Sequence, residues 1–106
     1  MSEFITPIET LEELIEEGTV DCYDEYEQKA GMMCAVTDEV TVPFEAEIVG
    51  EKVTVIKLKE AAELTAVCEK NGKTYEVNID SLKFIEPYPN GYEWIEAYQL
   101  FEKHGW

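Results

Sequence analysis

The sequence has few basic residues. Its 106 residues contain eight lysines and arginines against 24 acids, which gives a formal net charge of −16, and no basic residue precedes Lys29. A surface of this sign repels nucleic-acid phosphates, so we expect no nucleic-acid binding. It attracts cations, either metal ions or the basic patch of a partner protein. An acidic surface kept only for solubility is the remaining alternative.

Histidine and cysteine are also scarce. The single histidine is His104, and Cys22, Cys34 and Cys68 lie far apart without a CxxC motif. These residues do not readily supply a zinc ligand set, and they favour a cytosolic protein with reduced, mostly buried thiols. The sequence contains no Ser/His/Asp set and no glycine-rich phosphate loop, so we predict that the protein is not an enzyme.

Long hydrophobic runs are missing as well. No basic segment precedes a hydrophobic one, so we expect no signal peptide, no membrane span and a cytoplasmic location. With 45% hydrophobic and 11% aromatic residues, the chain can nevertheless form a core. Its length predicts a single domain over residues 1–106.

Helical periodicity marks both ends of the chain. We predict helices over 7–17, where two capping-box patterns occur, over 22–39, which is acidic, and over 91–103. In the acidic helix, apolar or small side chains recur at spacings of three and four: Tyr23, Tyr26, Ala30, Met33, Thr37 and Val40. Core positions are therefore expected for Tyr23, Tyr26, Met32 and Met33. Trp94 in the last helix is also expected to pack on the protein's own core.

Residues 43–86 have the pattern of a β-sheet. Short alternating segments rich in β-branched residues are separated by turns at Gly50–Glu51 and Asn71–Gly72. They predict a small SH3-like antiparallel β-barrel of about five strands. The expected fold is thus α+β, with two helices before the barrel and one after it.

The acidic helix is the place where a metal ion is most expected. Calcium takes six to eight oxygen ligands in irregular geometry, which carboxylates can supply. The EF-hand pattern is absent, so a site would have to be assembled by folding. Asp24 and Asp38 would lie roughly 21 Å apart at 1.5 Å per residue, so one ion cannot bridge both.

Three stretches of the sequence resemble the CcbP-type calcium-binding proteins of bacteria. They are VD-x-YDE-x-EQ at 20–28, PF-x-x-x-x-x-G at 43–50 and EWIEAY at 93–98, in the same order as in that family. The resemblance implies a small acidic cytoplasmic protein that binds calcium without an EF-hand and is thought to buffer free calcium. It also implies that the acidic motif, Asp21, Asp24, Glu25 and Glu27, binds the ion.

The first prediction is therefore a cytoplasmic calcium buffer or sensor. One Ca²⁺ site would use Asp21, Asp24, Glu25 and Glu27, and a second would use Asp38, Glu39 and Glu45. The alternative is an acidic interaction module that binds a basic protein partner without a specific metal site.

Overall fold

The computed structural model describes residues 4–104 and contains three helices and a five-stranded antiparallel sheet. In chain order the elements are α1 (Ile8–Gly18), α2 (Glu25–Glu39), β1 (Phe44–Ile48), β2 (Glu51–Lys59), β3 (Thr65–Lys70), β4 (Lys73–Asn78), a 3₁₀ turn (Ile79–Ser81), β5 (Lys83–Phe84) and α3 (Tyr92–His104). The α+β composition is thus confirmed. Among the described residues, no helix is both long and apolar enough to cross a membrane.

The chain folds into two compact units. A helical unit comprises Met1–Val40 and Gly91–Trp106, and a sheet unit comprises Thr41–Asn90. The sequence-based prediction of a single domain stays a prediction. Charge is divided unequally between the units. Fifteen acids and two lysines give the helical unit a formal charge of −13, whereas nine acids and six lysines give the sheet unit −3.

Two glycines let α1 and α2 approach closely. A Cβ atom on Gly31 would lie 2.5 Å from the carbonyl oxygen of Gly18, and a Cβ on Gly18 would lie 2.6 Å from the Met32 sulfur. Since real Cβ atoms do not approach other atoms this closely, the crossing depends on the missing side chains. This contact brings the end of α1 against the middle of α2.

Only the second half of α2 has buried side chains. Met32, Met33 and Val36 are buried, as expected for the two methionines. The core positions expected for Tyr23 and Tyr26 were wrong, because these side chains are 85% and 84% exposed. The reason is that α2 starts at Glu25, so Tyr23 precedes the helix and Tyr26 lies in its first turn.

α3 fills the core of the helical unit. Trp94, Ile95, Tyr98 and Phe101 are all buried, which confirms the expected packing of Trp94. Glu96 is also buried, at 2% exposure, and its carboxylate accepts three hydrogen bonds. The donors are the Ile5 N–H at 2.8 Å, the Thr6 N–H at 3.2 Å and the Thr6 hydroxyl at 2.5 Å. Thr6 therefore binds α3 rather than capping α1, whose N-cap residue is Pro7.

Tight turns connect the strands of the sheet. β1 and β2 are joined by Val49 and Gly50, with φ of 49° and 80°, and β3 and β4 by Asn71 and Gly72, with φ of 55° and 79°. Two successive residues of positive φ are the requirement of a type I′ hairpin turn. The first turn therefore consists of Val49 and Gly50, one residue earlier than the predicted turn at Gly50–Glu51, and its valine lies in the left-handed region.

The sheet is open. Its strand order is β4-β3-β2-β1-β5, with β4 and β5 at the two edges and every pair antiparallel. No pairing joins these edges in the described part of the chain, so the strands do not close into the predicted barrel. The five strands are therefore confirmed, and the SH3-like barrel is not.

Candidate functional site

The first group of predicted ligands surrounds the start of α2. Asp24 is the N-cap residue, and its Oδ1 accepts a hydrogen bond of 2.8 Å from the Glu27 N–H. Glu27 reaches back, and its Oε2 accepts a bond of 3.4 Å from the Tyr23 N–H. This arrangement resembles a capping box, except that Glu27 binds the N–H of Tyr23, one residue before the N-cap, and not the N–H of Asp24 itself. Two of the four predicted ligands thus help to start the helix.

Asp21 and Glu25 have no such structural partner among the described residues. Both are exposed, and Asp21 has a φ of 62°, in the left-handed region that Asp and Asn tolerate better than most residues. Asp21 lies in the turn that links α1 to α2, two residues after Thr19, whose carbonyl accepts from the Cys22 N–H. The structure therefore places all four carboxylates on one short segment, 21–27.

The carboxylates of segment 21–27 form no ion pair within residues 4–104. The helical unit has only two lysines, and the nearer of them in sequence, Lys29, pairs with Glu102 at 3.5 Å. None of the four acids takes part in an ion pair within the described residues. Their mutual repulsion is offset only by solvent, the positive end of the α2 dipole and any cation from solution.

The second group of predicted ligands is split between the two units. Asp38 and Glu39 are exposed residues in the last turn of α2, while Glu45 lies in β1 of the sheet unit. Glu45 has a cationic neighbour within the sheet, because its Oε2 lies 3.4 Å from the Lys52 Nζ. The Asp38 Oδ2 lies 3.7 Å from the Cys34 sulfur, which donates a weak hydrogen bond to it.

A surface groove of about 360 Å³ collects further carboxylates in the helical unit. Asp38 and Glu39 line it together with Glu17, near the end of α1, and with the thiol-bearing residues Cys22 and Cys34. Glu17 is not among the ligands predicted from the sequence. The close crossing at Gly18 and Gly31 is what brings Glu17 to this groove.

Within residues 4–104, no three or more His, Cys, Asp or Glu side chains converge closely enough to hold a metal ion. The donor chemistry nevertheless fits calcium, because all seven predicted ligands are carboxylates and hard oxygen donors are what this ion prefers. Which of them bind an ion stays a prediction.

The three thiols differ in environment. Cys68 is buried in the sheet, and burial raises the pKa of its thiol above the usual value. Cys22 is partly exposed and Cys34 is exposed. The expectation of mostly buried thiols is therefore correct only for Cys68.

Comparison with known proteins identifies the family. The CcbP family model, described as calcium binding, matches residues 12–101, which is most of the chain. The chain belongs to the CcbP family. The suspected resemblance is thereby confirmed, and so is calcium as the ion to which the family is assigned.

The fold of CcbP is also the fold of this chain. The crystal structure of CcbP from Anabaena matches with a TM-score of 0.79 at 18% sequence identity, covering 100% of this chain and 98% of that one. A structure of a calcium binding protein in the calcium-binding form matches with a TM-score of 0.74, also at 18% identity and with the same coverage. A search of curated proteins finds no significant match.

Proposed function

We propose that this CcbP-family protein binds calcium through exposed carboxylates of its helical unit and serves as a cytoplasmic calcium buffer or sensor. The observation that carries the proposal is the concentration of charge in a chain of a calcium-binding family. The helical unit has a formal charge of −13, and segment 21–27 holds four acids without an ion pair in the described residues. A divalent cation relieves this repulsion.

The first proposed site uses Asp21, Asp24, Glu25 and Glu27. The Asp24 Oδ1 is occupied as a cap, but its second carboxylate oxygen leaves a ligand position. The positive end of the α2 dipole, about half an elementary charge, opposes a cation there, and four carboxylates outweigh it. Side-chain rotation and bound water would complete six to eight ligands. A site of this kind is expected to be modest in affinity and sensitive to salt.

The second proposed site uses Asp38 and Glu39 at the opposite end of α2. A helix C-terminus carries partial negative charge and carbonyl oxygens without intrahelical partners, and both favour a bound cation. Glu17 lines the same groove and is a further donor. Glu45 belongs to the sheet unit, where its Oε2 lies 3.4 Å from the Lys52 Nζ, and its role as a ligand stays a prediction.

Calorimetric titration of the metal-stripped protein with calcium tests the proposal, in physiological salt with millimolar magnesium present. We expect a saturable heat that the combined Asp24→Asn and Glu25→Gln change weakens about tenfold or more, since a carboxylate-to-amide change removes charge and a strong ligand. The matched control is Glu13→Gln with Glu16→Gln, two exposed glutamates of α1 that carry the same charge.

Two results would contradict the proposal. Equal weakening by both pairs would indicate a diffuse cloud of counter-ions, and so would the absence of any saturable heat. The Asp38→Asn and Glu39→Gln pair, titrated separately, tests the second site in the same way.

A further inference from the structure

The exposed tyrosines at the start of α2 have no role in the calcium proposal. Tyr23 is 85% exposed, Tyr26 is 84% exposed, and Val20 in the preceding turn is 67% exposed. We call the exposed side chains of Tyr23 and Tyr26 the tyrosine surface. Neither tyrosine hydroxyl has a hydrogen-bond partner among the described residues. Large aromatic side chains held this far out in solvent are typical of interaction surfaces, where tyrosine is enriched.

Carboxylates lie between and beside the tyrosines in the chain. In the sequence, Asp24 and Glu25 lie between the two tyrosines. Asp21 precedes Tyr23 by two residues, and Glu27 directly follows Tyr26. Aromatic faces attract guanidinium and ammonium groups, and the carboxylates bind the same groups through charge-assisted hydrogen bonds. The aromatic rings and the carboxylates therefore favour the same kind of ligand, a peptide segment rich in arginine or lysine.

Charge decides against the other occupants. A second copy of this chain would bring another net charge of −16, and anionic lipid or nucleic acid would also be repelled. The helical unit offers few cations of its own, because it has two lysines for fifteen acids. Lys29 pairs with Glu102, and Lys103 lies in α3.

We propose that the tyrosine surface docks a lysine- and arginine-rich segment of a partner protein, with the rings stacking on its cationic side chains. If calcium binds Asp21, Asp24, Glu25 and Glu27, which rests on the function proposed above, calcium and the basic segment compete. The protein would then release its partner as calcium rises, which is the behaviour of a sensor.

The test titrates the metal-free protein with a synthetic peptide in which arginine and lysine alternate with serine. The Tyr23→Ser and Tyr26→Ser double variant changes no charge, and serine has a helix propensity similar to that of tyrosine. We expect saturable binding that this variant weakens about tenfold, the sum of two exposed cation–π contacts. The matched control is Tyr75→Ser, because Tyr75 is an exposed tyrosine of β4, at 39% exposure.

The docking proposal is overturned if the peptide does not bind, or if all three proteins bind it equally and lose it in salt. It is also overturned if the wild-type chain instead self-associates in sedimentation and the double variant does not. Calcium titration of the double variant separates the two proposals, because its carboxylates are intact. Undiminished calcium binding with lost peptide binding supports both. Absent calcium binding with tyrosine-dependent peptide binding rejects only the calcium site.

Discussion

Asp24 has two roles in this structure that a pair of substitutions can separate. It caps α2 through the 2.8 Å bond from Glu27 N–H to its Oδ1, and it is a proposed calcium ligand. Asparagine caps a helix about as well as aspartate but carries no charge, whereas alanine neither caps the helix nor carries a charge. The series wild type, Asp24→Asn and Asp24→Ala therefore distinguishes the cap from the charge.

The expected magnitudes follow from the geometry. Losing the cap costs about 1 kcal/mol, and losing a negative charge from the first turn costs about 0.3–1 kcal/mol. Without calcium, Asp24→Ala should thus be destabilised by about 1.5 kcal/mol and Asp24→Asn by about 0.5 kcal/mol. At about 4–8 °C per kcal/mol for a domain of this size, Tm should fall by roughly 6–12 °C and 2–4 °C.

Thermal denaturation with and without calcium measures both roles. At about 100 times its Kd, calcium adds about 2.7 kcal/mol to the stability of a protein with one site, and both variants should lose part of that gain. Asp21→Asn is the control, because Asp21 makes no capping bond and asparagine tolerates its positive φ. Its stability without calcium should be unchanged.

Two outcomes would refute this reasoning. If Asp24→Asn is as unstable as Asp24→Ala without calcium, the capping bond is not what aspartate contributes. If Asp24→Asn retains the full calcium-dependent gain, Asp24 is not a ligand.

Three substitutions and one labelling experiment test the fold. Glu96→Ala removes the acceptor of three hydrogen bonds and should cost about 2–4 kcal/mol in urea denaturation, because the donors are left without their partner; an unchanged midpoint would contradict the contact. Gly31→Ala places a Cβ against backbone and should cost about 1–3 kcal/mol, whereas Val49→Asn should stabilise by about 1 kcal/mol by relieving a β-branched residue of positive φ. Iodoacetamide should modify Cys34 in the folded protein and Cys68 only after unfolding, since burial raises the pKa of the Cys68 thiol; mass spectrometry of the modified peptides decides this.

The sequence predicts local elements better than their burial. Helical periodicity and strand alternation identify all three helices and five strands, because both signals depend on residues close in the sequence. The error at Tyr23 and Tyr26 arose because their spacing continues the stripe that Met33 occupies. The Asp24-x-x-Glu27 pattern was a signal for a helix starting at Glu25, which excludes Tyr23 from the helical face. Periodicity alone does not show which part of a helix packs against the rest of the protein.

Closure of the sheet and convergence of ligands are both long-range properties. Whether β4 and β5 pair depends on the twist accumulated over the sheet, which an alternating pattern does not encode. Likewise, the spacing of acids along α2 gives no hint that Glu17 lines the groove beside Asp38. That placement depends on the close contact between Gly18 at the end of α1 and Gly31 in α2, which are far apart in the sequence.

The unequal division of charge explains why one segment can attract two kinds of ligand. The sheet unit pairs several of its acids internally, through Lys52, Lys59 and Lys70, and has a formal charge of only −3. The helical unit has two lysines for fifteen acids, so its excess charge must be balanced from outside the chain. Under the two proposals, a calcium ion would do this with a compact charge, and a basic segment would do it while also covering Tyr23 and Tyr26. Since both would neutralise the same carboxylates, calcium would lower the affinity for the basic segment, and the segment would lower the affinity for calcium by the same factor.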